Sequence, residues 1–272
     1  MMKNRDTAIS MIMPNHNGAR YLAKSMDAFL AQSYDNKELL IIDGKSTDES
    51  HDIIANVCAG NTCVQWLRYE DSGISDATNF AISHARGDII GYLGSDDILL
   101  KDVFQKVAEL SEYIDFDGIF FKSFTYFVQE RRCVVQKPVT TEITVENLLK
   151  FGTIVGGQNT FYRKRVFDRV RFNVENRYSM DYELLLELAK LNAFFVYADE
   201  FCTINYFDGN ISHNNPAQSQ EAAQVALRFA EGFIGQLWCS DMLPRKVARR
   251  YGPWNRTRKR VFRRLRRLLT RQ

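Results

Sequence analysis

The stretch Asp88-Ile89-Ile90-Gly91-Tyr92-Leu93-Gly94-Ser95-Asp96-Asp97 decides how this chain folds. Residues 89–93 read as a short buried strand, which breaks at the small pair Gly94-Ser95 and runs into two adjacent carboxylates. Paired negative charge thus stands at a strand's C-terminal end. Open α/β sheets bind ligands beyond such ends, and hard divalent cations choose oxygen ligands, commonly one or two carboxylates together with substrate phosphates. The residues alone leave two readings: a metal and diphosphate site, or a solvated turn that starts the next helix.

Upstream, strands and helices alternate. Residues 8–13 are apolar and open on the turn-rich Pro14-Asn15-His16-Asn17-Gly18. Leu22, Met26, Phe29 and Leu30 fall at helical spacing, and residues 38–42 form a second strand that ends at Asp43. Ser46 and Glu49 have capping-box spacing for a helix running to about residue 57. A third strand over 64–69 is followed by Glu70 and Asp71, and a helix over about 75–85 leads through Arg86-Gly87 into the opening strand. This rhythm predicts a parallel or mostly parallel sheet with helices on both faces. Right-handed crossovers put the strand ends on one edge, where Asp43, Asp71, Asp96 and Asp97 converge.

After a helix over 101–112 the pattern changes to an α+β second half. Residues 118–121 read as a strand, and 125–128 with 132–136 as a hairpin. Residues 152–160 form a glycine-rich loop without phosphate-loop spacing, and Phe161-Tyr162-Arg163 precedes a short helix near Lys164. Asp181 stands in the first turn of a helix whose apolar face is Leu184, Leu185, Leu188 and Leu191. The helix dipole alone favours a carboxylate there. A strand over 194–197 leads to a polar loop, 205–215, carrying His213.

The chain has 272 residues, 45% hydrophobic and 25% charged, enough for a full core and an appendage. No stretch approaches the roughly 20 consecutive apolar residues of a membrane span, and residues 1–13 lack a signal peptide's apolar core. The expected location is therefore cytoplasmic. Cys58, Cys63, Cys133, Cys202 and Cys239 have no zinc-site spacing and read as buried free thiols. The net charge of +3 hides an asymmetry. From Arg245 onward there are 13 Lys or Arg and no acid, which leaves 23 of the 36 basic residues against 33 acidic ones, a net of −10. Trp254, Val261, Phe262, Leu265, Leu268 and Leu269 recur at helical spacing among these arginines, so residues 254–271 read as a basic amphipathic helix. Such a helix suits an anionic membrane surface, here the inner face of the plasma membrane. Nucleic acid is not expected as a partner, since no recognition motif accompanies the charge.

Five motifs in order carry a resemblance. Pro14-Asn15-His16-Asn17-Gly18, Gln32-Ser33-Tyr34, residues 38–48 with Asp43-Gly44-Lys45-Ser46-Thr47-Asp48, Gly73-Ile74-Ser75-Asp76-Ala77-Thr78-Asn79, and Gly94-Ser95-Asp96-Asp97 resemble the family 2 inverting glycosyltransferases. The similarity extends more loosely through Phe161-Tyr162-Arg163-Lys164 and Met180-Asp181-Tyr182-Glu183. It implies the GT-A fold, a Rossmann-like mixed, mostly parallel sheet with helices on both faces, here followed by the C-terminal basic helix. It also implies a nucleotide-sugar-binding half over 1–113, an acceptor-binding and catalytic half over 114–215, and an extension over 216–272. By the same resemblance Pro14, Asn15 and Asp43 would hold the base and ribose of a UDP, GDP or dTDP sugar, with Asp76 near the donor. Asp96 would reach the ribose or diphosphate, Asp97 would ligate Mn2+ or Mg2+, and Asp181 would be the catalytic base. The acceptor would be a saccharide, lipid-linked if the tail binds membrane, in surface polysaccharide assembly.

Two positions depart from the family pattern. Lys45 stands where glycine usually precedes Ser-Thr-Asp, and Ser95 stands where many relatives have aspartate. Competing classes remain in view: a sugar nucleotidyltransferase, which needs a basic glycine-rich loop that residues 14–20 do not supply, and a binding protein with a decayed site, which the intact acids oppose.

Overall fold

The computed structural model describes residues 7–208 and 216–231. The expectations for His213, Cys239 and the basic helix over 254–271 lie outside the described residues. In the first half β1 (Ile9–Pro14), α1 (Ala19–Leu30), β2 (Lys37–Ile42), α2 (Ser50–Gly60), β3 (Val64–Leu67), α3 (Ile74–His84) and β4 (Ile89–Tyr92) alternate as the sequence predicts. Successive side chains on a strand point to opposite faces. Ile9, Met11, Met13, Leu39, Ile41 and Ile89 therefore enter one core, and Ile12, Leu40, Ile42 and Ile90 enter another. Helix α1 covers the first face with Leu22, Met26 and Phe29, joined by Ile54 of α2; α3 covers the second with Ala77, Ala81 and Ile82.

The second half continues with β5 (Asp97–Leu99), α4 (Val103–Tyr113), β6 (Gly118–Phe127), β7 (Arg132–Gln136), α5 (Val145–Phe151), β8 (Thr160–Arg163), α6 (Met180–Lys190), β9 (Phe195–Phe207) and α7 (Pro216–Glu231). All strands join one mixed sheet in the order β3-β2-β1-β4-β8-β6-β9-β5, with β7 on β6. The parallel pairings are those among β1 to β4 and that of β6 with β9; β8, β5 and β7 pair antiparallel. Helix α6 lies between two cores, giving Leu184 and Leu188 to the one beneath α3, and Tyr182, Leu185 and Leu186 to one shared with α5 and α7.

Several local expectations are corrected. The strand and hairpin arm read as separate pieces form one ten-residue strand, β6, and β9 runs for thirteen residues because it is flanked by β6 and β5. At Thr203, Ile204 and Asn205 ladder pairing on both sides overrides the polar character, while Asp199 and Glu200 lie at an irregularity of the β6 ladder. Asp97 begins a short strand instead of preceding a helix directly. Ser46 does not cap α2: its hydroxyl donates to Asp43, and the helix starts at Ser50, whose N–H is held by Asp48. Leu191 lies just past the end of α6 and is exposed. Of the described cysteines only Cys202 is buried; Cys58 and Cys63 are half-buried, and Cys133 is exposed because β7 has β6 alone beside it.

Among the described residues no helix is long and apolar enough to cross a membrane. The close packing of β4 gives a direct test. A Cβ on Gly91 would meet the Met11 sulfur and lie 2.8 Å from the Phe161 ring. Gly91→Ala is expected to lower stability by about 1–3 kcal/mol through overpacking, seen as a lower melting temperature.

Candidate active site

The site is assembled at the C-terminal ends of β1, β2 and β4. Asp43 ends β2 and is fully buried. Its Oδ2 accepts from Asn15 Nδ2 and from Ser46 Oγ, both at 2.6 Å. Its Oδ1 accepts from the Ser46 and Lys45 N–H groups and from His51 Nε2, at 3.0, 3.2 and 3.1 Å. Burial raises the Asp43 carboxyl, but hydrogen bonds from Ser46, Asn15 and His51 together outweigh it and hold the group below its ordinary value. The loop after β1 is tied to the same place: Asn17 N–H donates to Ser46 Oγ at 2.7 Å, and Asn17 Oδ1 accepts from Thr47 N–H at 2.8 Å. Asp48 reaches the start of α1 by accepting from Ala19 N–H. Pro14 closes β1 opposite Ile42.

This two-loop wall abuts the acidic turn. A Cβ on Gly18 would collide with Asn15 Oδ1 and approach Ser95 Oγ to 2.7 Å, so only glycine permits that approach. Asn15 Oδ1 is buried and accepts no hydrogen bond from the described residues. Ser25 of α1 donates to the Ser95 carbonyl at 2.9 Å. The departure at Lys45 proves harmless to the backbone, since Lys45 is not in the left-handed region. The close approach belongs instead to Gly44, where a Cβ would lie 2.6 Å from the Tyr69 carbonyl. The Lys45 ammonium donates to the Asp71 carbonyl.

Asp96 is half-buried and Asp97 buried. Burial, then the neighbouring Asp96 charge, pushes the Asp97 carboxyl up to about 8, against a single lowering hydrogen bond from Gly94 N–H. Burial also raises Asp96. Across the cleft Asp181 sits in the first turn of α6, raised by burial, and accepts from Gly157 N–H at 3.0 Å. The residue that joins these acids is Tyr92. Its phenol is raised by burial and then by the charges of Asp181, Asp97 and Asp96. Asp96 and Asp97 adjoin Gly94 on the turn after β4, and Asp181 stands on α6 beside Gly157.

Other expected positions serve more local geometry. Asp76 accepts from Ser72 N–H and Oγ at 2.8 and 3.0 Å and from the Tyr69 hydroxyl. Asp71 accepts from Gly73 N–H, closing the turn into α3. Asn79 pairs with both backbone groups of Phe172. Sequence reasoning missed Tyr92, His51 and Glu221. The Glu221 carboxylate on α7 accepts from the N–H groups of Arg177, Tyr178 and Ser179 at 2.8, 2.7 and 2.8 Å, immediately before Asp181. Nearby, Arg228 forms a 2.7 Å ion pair with Glu183. No local signal marks Glu221, because its partners are backbone groups more than forty residues away.

The acids fit a hard divalent cation. Asp97 is a buried carboxyl with a neighbouring acid and one N–H to offset its charge, so a bound cation would favour its ionised form. Among the described residues there is no cluster of three or more His, Cys, Asp or Glu able to hold a metal. The protein would therefore supply one or two oxygen ligands and leave the rest to water or phosphate.

A mixed sheet with helices on both faces and acids at its strand ends places a ligand site beyond those ends. Residues 10–171, more than half of the chain, match the model described as glycosyl transferase family 2, and the chain belongs to that family. It is 25% identical over 187 residues to the glycosyltransferase GlyA of Streptococcus pneumoniae, covering 62% of this chain and 26% of GlyA. The chain thus spans about a quarter of that relative's length. The S. aureus TarS 1-349 structure with UDP-GlcNAc superposes with a TM-score of 0.67 at 19% identity, over 84% of this chain and 67% of TarS. The mannosyltransferase PcManGT from Pyrobaculum calidifontis, solved with GDP-Man and Mn2+, gives 0.61 at 14% identity, over 94% of this chain and 74% of its own.

Two outcomes test this geometry. The Asp97 carboxyl has a raised value in the fold, so the folded state binds the extra proton and stability falls as pH rises from about 4 to about 8. Asp97→Asn removes that dependence, and its melting temperature is expected to exceed that of the metal-free parent at pH 8 by at least about 2 °C, with the gap closing toward pH 5. Glu221→Ala is expected to cost about 1–3 kcal/mol in thermal denaturation, since three N–H groups lose a charged acceptor.

Proposed function

We propose that the protein is an inverting glycosyltransferase moving a sugar from a nucleotide diphosphate to a saccharide hydroxyl. One observation carries this reading: Asp181, in the first turn of α6 and raised by burial, acts with its charge on the same Tyr92 phenol as Asp96 and Asp97 do. The acceptor hydroxyl must lose a proton as it attacks, and a carboxylate with a raised value is better matched to that task than a solvated one. One base suffices for a single displacement, which inverts the anomeric centre. A glycoside hydrolase needs a carboxylate pair of different design.

In this reading residues 1–113 hold the donor and residues 114–215 the acceptor. Pro14 and Asn15 form the base and ribose wall, and the unpartnered Asn15 Oδ1 offers a buried acceptor to a base N–H. Asp43 fixes that wall, since both its oxygens are engaged by Asn15, Ser46, Lys45 and His51. Asp76 shapes the neighbouring 69–72 loop, and Asp96 faces the ribose or diphosphate. Asp97 would hold Mn2+ or Mg2+, which when bound neutralises the diphosphate leaving group as a Lewis acid. UDP and GDP sugars are the first donors to try, because TarS was crystallised with UDP-GlcNAc and PcManGT with GDP-Man and Mn2+. We assign the enzyme to surface polysaccharide assembly on lipid-linked acceptors, working in the cytoplasm with its basic extension over 216–272 on the inner membrane face; the charge of residues 245–272 supports this placement.

The experiment is nucleotide release from UDP-GlcNAc and GDP-mannose with and without Mn2+, in the presence of saccharide acceptors. Asp181→Ala is expected to cut transfer by about 10²–10⁴-fold while donor binding persists. Asp97→Ala is expected to lose both transfer and Mn2+-dependent donor binding. A fully active Asp181→Ala variant removes the base assignment.

A further inference from the structure

We infer that the hollow beneath the β6–β7 hairpin is a binding subsite for a neutral, hydroxyl-rich pyranose unit of the acceptor; this deepens the transferase reading and rests on it. The hollow has a volume of about 270 Å³ and is walled by the hairpin, the end of α5 and the 3-10 turn Gly157–Asn159. Its polar groups are Ser123, Gln136, Gln158, Asn159 and Asn205, interleaved with apolar Phe121, Phe151 and Ile154. Amides and hydroxyls answer sugar hydroxyls, and apolar side chains answer the C–H face of a pyranose ring. Among the described residues no carboxylate lines the hollow. Among the described residues its one cation, Lys137, is exposed and acts on Asp199, which argues for a neutral ligand over an anionic one.

The polar wall is built, not incidental. Asn159 is buried and donates to the buried Ser123 hydroxyl at 3.0 Å, while Thr203 Oγ1, wholly buried, is bonded to Asn159 Oδ1 and to Asn205 Oδ1. A register shift between β6 and β9 falls at residues 121–123, where such irregularities re-aim side chains. Asn205 is the direct cross-strand partner of Asp97, so the two share one face of the sheet. The 3-10 turn links hollow and base: Gly157 N–H holds Asp181, while Gln158 and Asn159 line the hollow. A sugar seated there is joined to Asp181 through the 3-10 turn and to Asp97 through its strand partner Asn205.

The test measures saturation-transfer NMR on the full chain without donor, using methyl glucoside, methyl galactoside, methyl mannoside, lactose, cellobiose and chitobiose. Gln136→Ala removes an exposed amide at the rim, and Val139→Trp, at a position 55% exposed, fills the mouth without entering the core. Wild type is expected to give transfer to at least one saccharide, weakened at least fivefold in both variants, with acceptor KM in the transfer assay rising about tenfold and kcat changing less than threefold. Absence of transfer to every saccharide, or equal binding in wild type and both variants, overturns the subsite. Donor turnover by wild type together with either result leaves the transferase reading standing; absence of Mn2+-dependent donor turnover alongside saccharide binding overturns the transferase reading and leaves the pocket.

Discussion

The buried Asp43 carboxylate is the constraint on which the donor side depends. A charge with no exposure is tolerated only where hydrogen bonds replace its hydration. Here Asn15, Ser46, Lys45 and His51 supply them, and in doing so they bring the loops after β1 and β2 into one wall. Ser46 then passes the connection to Asn17, and Gly18 lets the wall come against Ser95. The acidic turn is placed by this chain of contacts as much as by β4 itself.

The two acids of that turn differ in kind. Asp96 is half-buried, whereas Asp97 begins β5 and is locked by pairing with Asn205 of β9. Burial beside a like charge is costly for Asp97, and that cost is what a cation or a proton relieves. Asp181 is raised by burial without a like charge among its causes, and Gly157 N–H is directed at one oxygen. One fold thus gives three neighbouring carboxylates three environments.

Much of the first half was legible because its signals are local. The alternation of Ile9, Met11 and Met13 against Ile12, and the helical spacing of Leu22, Met26 and Phe29, fix strand, helix and face without reference to distant residues. The paired acids were legible as a strand-end feature. The second half was less so. β9 carries Thr203 and Asn205 because β5 and β6 hydrogen-bond it from both sides there, and no window of sequence reports those partners. Ser46 had the spacing of a cap but was recruited by Asp43, a competition that only the folded geometry decides. Tyr92 reads as an ordinary strand residue, and its position among Asp96, Asp97 and Asp181 depends on α6, nearly ninety residues later.

The pairing of Asp97 with Asn205 has a consequence for how the protein is made. The strand that bears this acid has its ladder partner more than a hundred residues downstream, and Glu221 must follow before the turn ahead of Asp181 is tied. During synthesis every group that bonds the Asp43 side chain has emerged by residue 51, the loop's contacts with Trp66, Tyr69, Asp71 and Ser95 follow, and the turn ahead of Asp181 waits for α7. Long sequence separation slows such closure relative to local packing. A nascent chain therefore carries the hydrogen-bonded cage around Asp43 well before the turn ahead of Asp181 is tied.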